Sequence, residues 1–472
     1  MNSMTRAHPQ RAARWALLGA GALVVGVGLL TGCKGVPTPG ERAARRDLRQ
    51  VEAAYWPKAP PPELDPMGGL TNYLRFAVLT QPSIRAAYLD WAASVEQITV
   101  ARSLPDPQLS FQTFNSATLL NAIMPGLMVQ FPGPGKLAAQ AAVASAASQA
   151  KYFAFETSVL QTAFDVKKAY YELCLVGERL RINRETLHLA ADLARLAQSQ
   201  NAVGKVTLQD VLRAQIDQDR LSIDIANLED SRQPLVAQLK GALGLRPDQP
   251  DPPVPQGFEA APAAPPAAEV LATALAHNPQ LKGMETEVQM AEAQVQAAHR
   301  NRVPDFTAGL SADFNAAPVM WNPQVGMTLP VWRDKIAAQI AAAQAGKGAA
   351  QARLSAAQIA LAVDFADRLY SYREAERNLA LLRDRLLPQA RQSFEVARIA
   401  YVSNSAQLGF WNLTDTERTL LEFELMEAQA RTQREVAMAG LSLLVAGVPP
   451  PGAPFLAHSG PGPVPAMPPT HQ

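Results

Sequence analysis

Two spacings of apolar residues divide this chain into helical and extended stretches. Val159, Val166, Leu173, Leu180, Leu187 and Ala194 recur every seven residues, and Thr162, Ala169, Val176, Asn183, Ala190 and Ala197 follow three later in each heptad. A seam of that length predicts a long helix lying against helical neighbours. Leu221, Leu228, Leu235 and Ala242 keep the spacing on a returning segment. The second spacing is two. Phe306, Ala308, Leu310, Ala312 and Phe314 alternate with Thr307, Gly309, Ser311 and Asp313; Trp321, Pro323, Val325, Met327 and Leu329 then alternate with Asn322, Gln324, Gly326 and Thr328. Such alternation predicts strands with one apolar and one polar face. Leu109 and Phe111 among Gln108, Ser110 and Gln112, then Leu127, Val129 and Phe131, repeat it more loosely.

The order of elements occurs twice. Lys136-Leu137-Ala138-Ala139-Gln140 matches Lys335-Ile336-Ala337-Ala338-Gln339; Gln81-Pro82 matches Asn278-Pro279; Pro105-Asp106 matches Pro304-Asp305; Phe131-Pro132 matches Leu329-Pro330; and Phe164 matches Phe365. The offset stays between 197 and 201 residues, so the chain holds two internal repeats, 68–246 and 268–447. Each reads as a helix (70–102; 268–302), a strand pair (107–132; 305–330), a long helix (136–203; 334–402) and a return helix (207–245; 406–446). A proline-rich linker, 247–267, joins them, a linker at 33–67 precedes them, and a proline-rich tail, 448–472, follows. A helix over 136–203 spans roughly 100 Å at ~1.5 Å per residue. The return helices are shorter, so two short helices stacked end to end are expected to line each long one: 207–245 with 268–302, and 406–446 with 70–102.

Charge sharpens the reading of the strands. No Asp, Glu, Lys or Arg occurs from Pro107 to Gly135 or from Phe314 to Trp332. Strands of ~9–11 residues, apolar on one face and with Asp313 the only charge on the other, fit a tilted transmembrane β-barrel. Four strands cannot close a barrel, for which about eight is the smallest number, and lipid tolerates no open edge. Several copies must therefore share one barrel. The chain as a whole carries 43 basic and 42 acidic residues, a balance that argues against nucleic acid as a partner.

The N-terminus reads as an export signal over 1–32: Arg6, Arg11 and Arg14, an uncharged run from Trp15 to Leu30, then Leu30-Thr31-Gly32-Cys33. The last four residues resemble a lipobox, which makes Cys33 the expected lipidation site. Cys174 then has no cysteine partner and reads as a packed thiol. The six histidines, His8, His188, His277, His299, His458 and His471, share no metal-ligand spacing. Gly133-Pro134-Gly135-Lys136 lacks P-loop spacing and reads as a strand-to-helix joint. No catalytic set, cofactor or metal site is expected.

Lipobox, repeats and strand pairs between long helices together resemble the TolC-like outer-membrane efflux protein family, over about residues 68–447. The resemblance implies a mainly α protein with a membrane β-barrel: a homotrimer sharing twelve strands above a coiled-coil cylinder in the periplasm. It implies an outer-membrane exit duct serving a periplasmic adaptor and an inner-membrane pump. The best single motif, Ala202-Val203-Gly204-Lys205-Val206-Thr207-Leu208-Gln209-Asp210-Val211-Leu212, is similar to the family's helix-turn-helix tip. Gly204 supplies a permissive backbone after the helix, and Thr207 is an N-cap. The second tip, Tyr401 to Trp411, has Asn404 in place of glycine.

The resemblance implies adaptor docking at Val203, Gly204, Lys205 and Thr207 and at Ser403, Asn404 and Ser405. It also implies a periplasmic constriction. The family's acidic pair is replaced here by Phe410 and Leu413, so an apolar gate is expected, with Asp210 or Asp415 as the source of any acidic ring. Two other readings are a periplasmic adaptor and a lipid-anchored structural coiled coil. An adaptor should have one hairpin inside β-rich domains, and a soluble coiled coil leaves the charge-free strands unexplained. The cargo is not written in these residues.

Overall fold

The structure, a computed structural model, describes residues 36–56, 63–65, 69–116, 119–204, 206–255, 257–260, 266–313, 318–402 and 410–445. In chain order the elements are α1 (Pro39–Tyr55), α2 (Gly69–Thr80), α3 (Pro82–Arg102), β1 (Gln108–Ser116), β2 (Leu119–Phe131), α4 (Lys136–Ala202) and α5 (Leu208–Ala242), then α6 (Ala267–His277), α7 (Pro279–Arg300), β3 (Phe306–Asp313), β4 (Met320–Met327), α8 (Arg333–Leu381), a π turn (Leu382–Leu386), α9 (Leu387–Val402) and α10 (Phe410–Leu444). The fold is mainly helical with one four-stranded sheet, as the two spacings predict.

Each repeat's opening helix is split. Gln81 (ψ 119°) and Asn278 (ψ 122°) leave the helical region because each precedes a proline, whose ring crowds the preceding backbone. The same residues determine the stacking, and it differs from the expected one. Gln81 Nε2 donates to the carbonyls of Gly241 and Ala242 at 3.0 and 3.1 Å, closing the end of α5. Asn278 Nδ2 donates to Leu444 O at 3.2 Å, closing the end of α10. Thus α5 stacks on α3 and α10 on α7, each within its own repeat. Helix lengths sum almost equally either way, and the terminal carbonyls, which need a donor, decide.

The second long helix is interrupted too. Pro388 has no N–H for the carbonyl four residues before it, and the π turn at Leu382–Leu386 takes up that lost bond. The linker at 33–67 contains α1. Ala44, Leu48, Val51 and Tyr55 form its apolar stripe and join Tyr88, Trp91 and Phe155. Glu41, 1% exposed, is held by Arg102 at 2.5 Å, Thr99 at 2.8 Å and Arg45 at 3.2 Å. The hydrogen bond from Arg102 chiefly pulls its carboxyl down to about 2, against the burial that opposes it.

The proline-rich linker lies against the middle of α4. Tyr73, Tyr170 and Tyr171 donate their hydroxyls to the carbonyls of Pro253, Gly257 and Glu259 at 2.9, 2.6 and 2.9 Å. Cys174 faces the same strap, and burial pushes its thiol up to about 12, away from reactivity.

Helix α4 is flanked on one side by α3 and α5 and on the other by α7 and α10; α8 continues beyond α7 and α10. The strand order β1-β2-β3-β4 follows the same sequence of neighbours.

Candidate functional site

All three strand pairs are antiparallel, and their register sorts side chains into rows across the sheet. Leu109 faces Leu127, Leu127 faces Leu310 and Leu310 faces Pro323. Val129, Ala308 and Val325 form another row, as do Phe131, Phe306 and Met327. The alternate rows, polar or small apart from Met128, are Gln108–Met128–Gly309–Gln324, Ser110–Gly126–Ser311–Asn322 and Gln130–Thr307–Gly326. Both faces thus run uninterrupted across the seam between repeats. Leu109, Phe111, Leu310, Trp321 and Val325 are exposed, Val325 at 86%. A contiguous exposed apolar face on a sheet whose other face is largely polar, with Asp313 at the end of β3 its one charge among the described residues, is what a lipid-to-water wall requires. Among the described residues no helix is long and apolar enough to cross a membrane. Strands β1 and β4 each keep one edge unpaired among the described residues.

Below the sheet, Asp305 joins the repeats. It accepts from Lys136 Nζ at 2.7 Å and from the Gly133 N–H at 2.7 Å. Burial pushes its carboxyl up, but the hydrogen bonds from Lys136 and Gly133 and the lysine charge outweigh that and hold it below the ordinary range. A Cβ at Gly133 would lie 2.4 Å from Pro304 O, so glycine permits the close approach. Gly135 takes φ 81° and leads directly into α4.

At the far end, α4 turns into α5. Gly204 has φ 75°. Thr207 is the N-cap of α5 in a reciprocal capping box: the Asp210 N–H donates to Thr207 Oγ1 at 3.3 Å, and the Thr207 N–H donates to Asp210 Oδ2 at 3.0 Å. Val203 is exposed at 67%. Cys33, Lys205, Ser403, Asn404 and Ser405 lie outside the described residues, as does the side chain of Phe410.

The gate candidates separate. Leu413 is 1% exposed, in a cluster with Leu193, Ala197, Val211, Ala214, Phe394 and Ala397. Its surface is spent between four helices of its own chain, so it is a core residue of the tip rather than a lumen ring. Asp210 is occupied by the cap, whereas Asp415 is exposed. The sequence reading missed three features between α5 and α10: Arg418 bonds Asp217 at 2.7 Å, Arg213 lies 4.4 Å over the Trp411 ring, and Glu417 is buried with Oε1 unpartnered. Burial, then the charge of Asp217, raises the Glu417 carboxyl to about 7 despite Arg418. A helical glutamate gives no signal of burial when read alone. Among the described residues no group of three or more His, Cys, Asp or Glu could hold a metal ion.

Comparison with known proteins agrees with this architecture. The profile of the outer membrane efflux protein family matches residues 75–245 and 270–447. The cobalt-zinc-cadmium resistance protein CzcC of Cupriavidus metallidurans is 23% identical over 274 residues, 54% of this chain and 61% of CzcC. The chain thus aligns with about three-fifths of that relative's length. Among solved structures, CusC superposes with a TM-score of 0.69 at 18% identity, covering 81% of this chain and 93% of CusC. The open state of the Neisseria gonorrhoeae MtrE channel gives 0.69 at 17% identity, covering 82% and 91%. These likenesses establish the fold; MtrE is an outer membrane channel and CusC forms a transmembrane channel. The chain belongs to the outer membrane efflux protein family.

Proposed function

We propose that three copies of this chain join their sheets into one twelve-stranded barrel and form the passive exit duct of a tripartite efflux or export machine. The observation that carries the reading is the sheet itself, with its apolar face, its nearly charge-free polar face and, among the described residues, its two unpaired edges. Three copies is the family's number. The energy comes from an inner-membrane pump, reached through a periplasmic adaptor that meets the tips at Val203, Gly204, Lys205 and Thr207 and at Ser403, Asn404 and Ser405. Lipid on Cys33 adds a second hold on the outer membrane. The constriction is set by Phe410 and Asp415, with Leu413 packed behind them. The names of CzcC and its resistance phenotype make divalent cobalt, zinc and cadmium the first cargo class to test.

The test is reconstitution into planar bilayers beside export in a strain lacking its own duct. The reading expects discrete channel conductance, restored resistance with the matching pump and adaptor, and changed resting conductance in Phe410→Ala. Absence of conductance from folded oligomer overturns the duct. Conductance untouched by Phe410→Ala and altered by Asp415→Ala moves the constriction to the acidic residue.

A further inference from the structure

The joint between the repeats has a second, divided version. Within the chain, Asp305 at the foot of β3 meets Lys136 in the first turn of α4 at 2.7 Å, with side chains 23% and 14% exposed. The repeat maps Asp305 onto Asp106 and Lys136 onto Lys335. Asp106 stands just before β1, and Lys335 lies in the first turn of α8, after β4. These strands are the two outer edges of the sheet, so the residues stand at opposite sides of one chain. Both are exposed, and among the described residues neither holds an ion pair.

We propose that Lys335 of one copy pairs with Asp106 of the next and sets the register of β4 on the neighbouring β1. This rests on the shared-barrel reading. The internal seam supplies the register. Phe131 faces Phe306, and transposing that pair through the repeat places Leu329 opposite Pro107, Met327 opposite Leu109 and Val325 opposite Phe111 of the next copy. Met327, Val325, Leu109 and Phe111 are all exposed apolar residues, so the apolar face continues unbroken. A slip by one residue would turn it toward water. The divided joint is not a full copy. Val331-Trp332-Arg333-Asp334 replaces Gly133-Pro134-Gly135 and is one residue longer, so the lysine, not a glycine N–H, provides the contact. Asp334 beside Lys335 is a local competitor that the internal joint lacks.

The experiment is charge exchange in the full-length protein, read as the temperature at which the detergent-extracted oligomer dissociates. Asp106→Lys and Lys335→Asp should each lower that temperature, and the double exchange should recover most of the loss. Asp305→Lys should not be rescued by Lys335→Asp. As a measure independent of stability, Asp106→Cys with Lys335→Cys in a Cys174→Ser background should give covalent trimers with a short bis-thiol reagent, and neither single cysteine should. A wild-type protein that is not trimeric overturns the shared barrel itself. A wild-type trimer with neither rescue nor cross-linking overturns this pair alone.

Discussion

The same repeat spells both long helices, yet their surroundings differ. Nineteen residues of α4 are buried, against eleven over the matching stretch 333–402 of α8, the π turn and α9. Matched positions show the contrast: Thr162, Ala169 and Leu180 are 5%, 4% and 6% exposed, whereas Val363, Tyr370 and Leu381 are 65%, 58% and 45% exposed. The larger apolar groups at the first two positions sit on the less covered helix. Helix α4 has neighbours from its own chain on both sides, and α8 lacks them on one. The outer side of α8 therefore has the exposed apolar residues of an interaction surface, which in the proposed assembly a further copy covers. The sheet tells the same story, since β2 and β3 are paired on both edges and β1 and β4 on one.

The largest expected effect probes the covered helix. Phe155 is fully buried, with ring centroids 5.3 Å from Tyr55 and 6.2 Å from Trp91. Phe155→Ala should cost about 3–5 kcal/mol, seen as a lowered thermal midpoint of the helical signal whether or not the chains are assembled. Tyr370→Ala on the uncovered helix should cost about 2 kcal/mol, visible only as weaker oligomer assembly. Equal losses in dissociated chains and in assemblies would break the contrast between the two helices.

Gly204→Val isolates the tip. A Cβ there would meet nothing within 4 Å, so the cost is purely one of backbone conformation at φ 75°, about 1–2 kcal/mol. Adaptor binding and export should fall while the oligomer's dissociation temperature holds. Normal export by this variant would count against docking at Val203–Thr207.

The last effect is one of pH and is local to the tip. Glu417 is raised to about 7 in the fold, above its unfolded value of ~4.3. The folded tip binds the proton more tightly, so its stability should rise as pH falls from above 7 toward the unfolded value, and stay level below that. Amide protection factors in the first turns of α10, taken relative to the intrinsic exchange rate at each pH, should rise as pH falls over that window, and Glu417→Gln should abolish that rise. A tip that loosens on acidification would reverse the assignment.

Much of this fold is legible in the chain because its rules are periodic. Period two marks all four strands, heptads mark α4, and matched Lys-containing motifs mark both joints. What escaped reading depends on partners distant in sequence. The stacking of α5 on α3 was hidden because Gln81 caps carbonyls 160 residues away. Helix α1 was hidden because its charged residues, including the buried Glu41, read as a solvated linker. The interruption at Leu382–Leu386 was within reach, since Pro388 stands in plain view inside the helical pattern. At the tip, Leu413 was assigned to the lumen by resemblance, and only packing shows that the chain's own helices cover it.

In the proposed assembly one chain is a fraction of a barrel whose open edges are closed by further copies. Native mass spectrometry of the detergent-extracted, full-length protein tests it most directly. The account predicts a single assembly of three mature chains, with strand signal in its infrared spectrum. A folded monomer with the same strand content would contradict it.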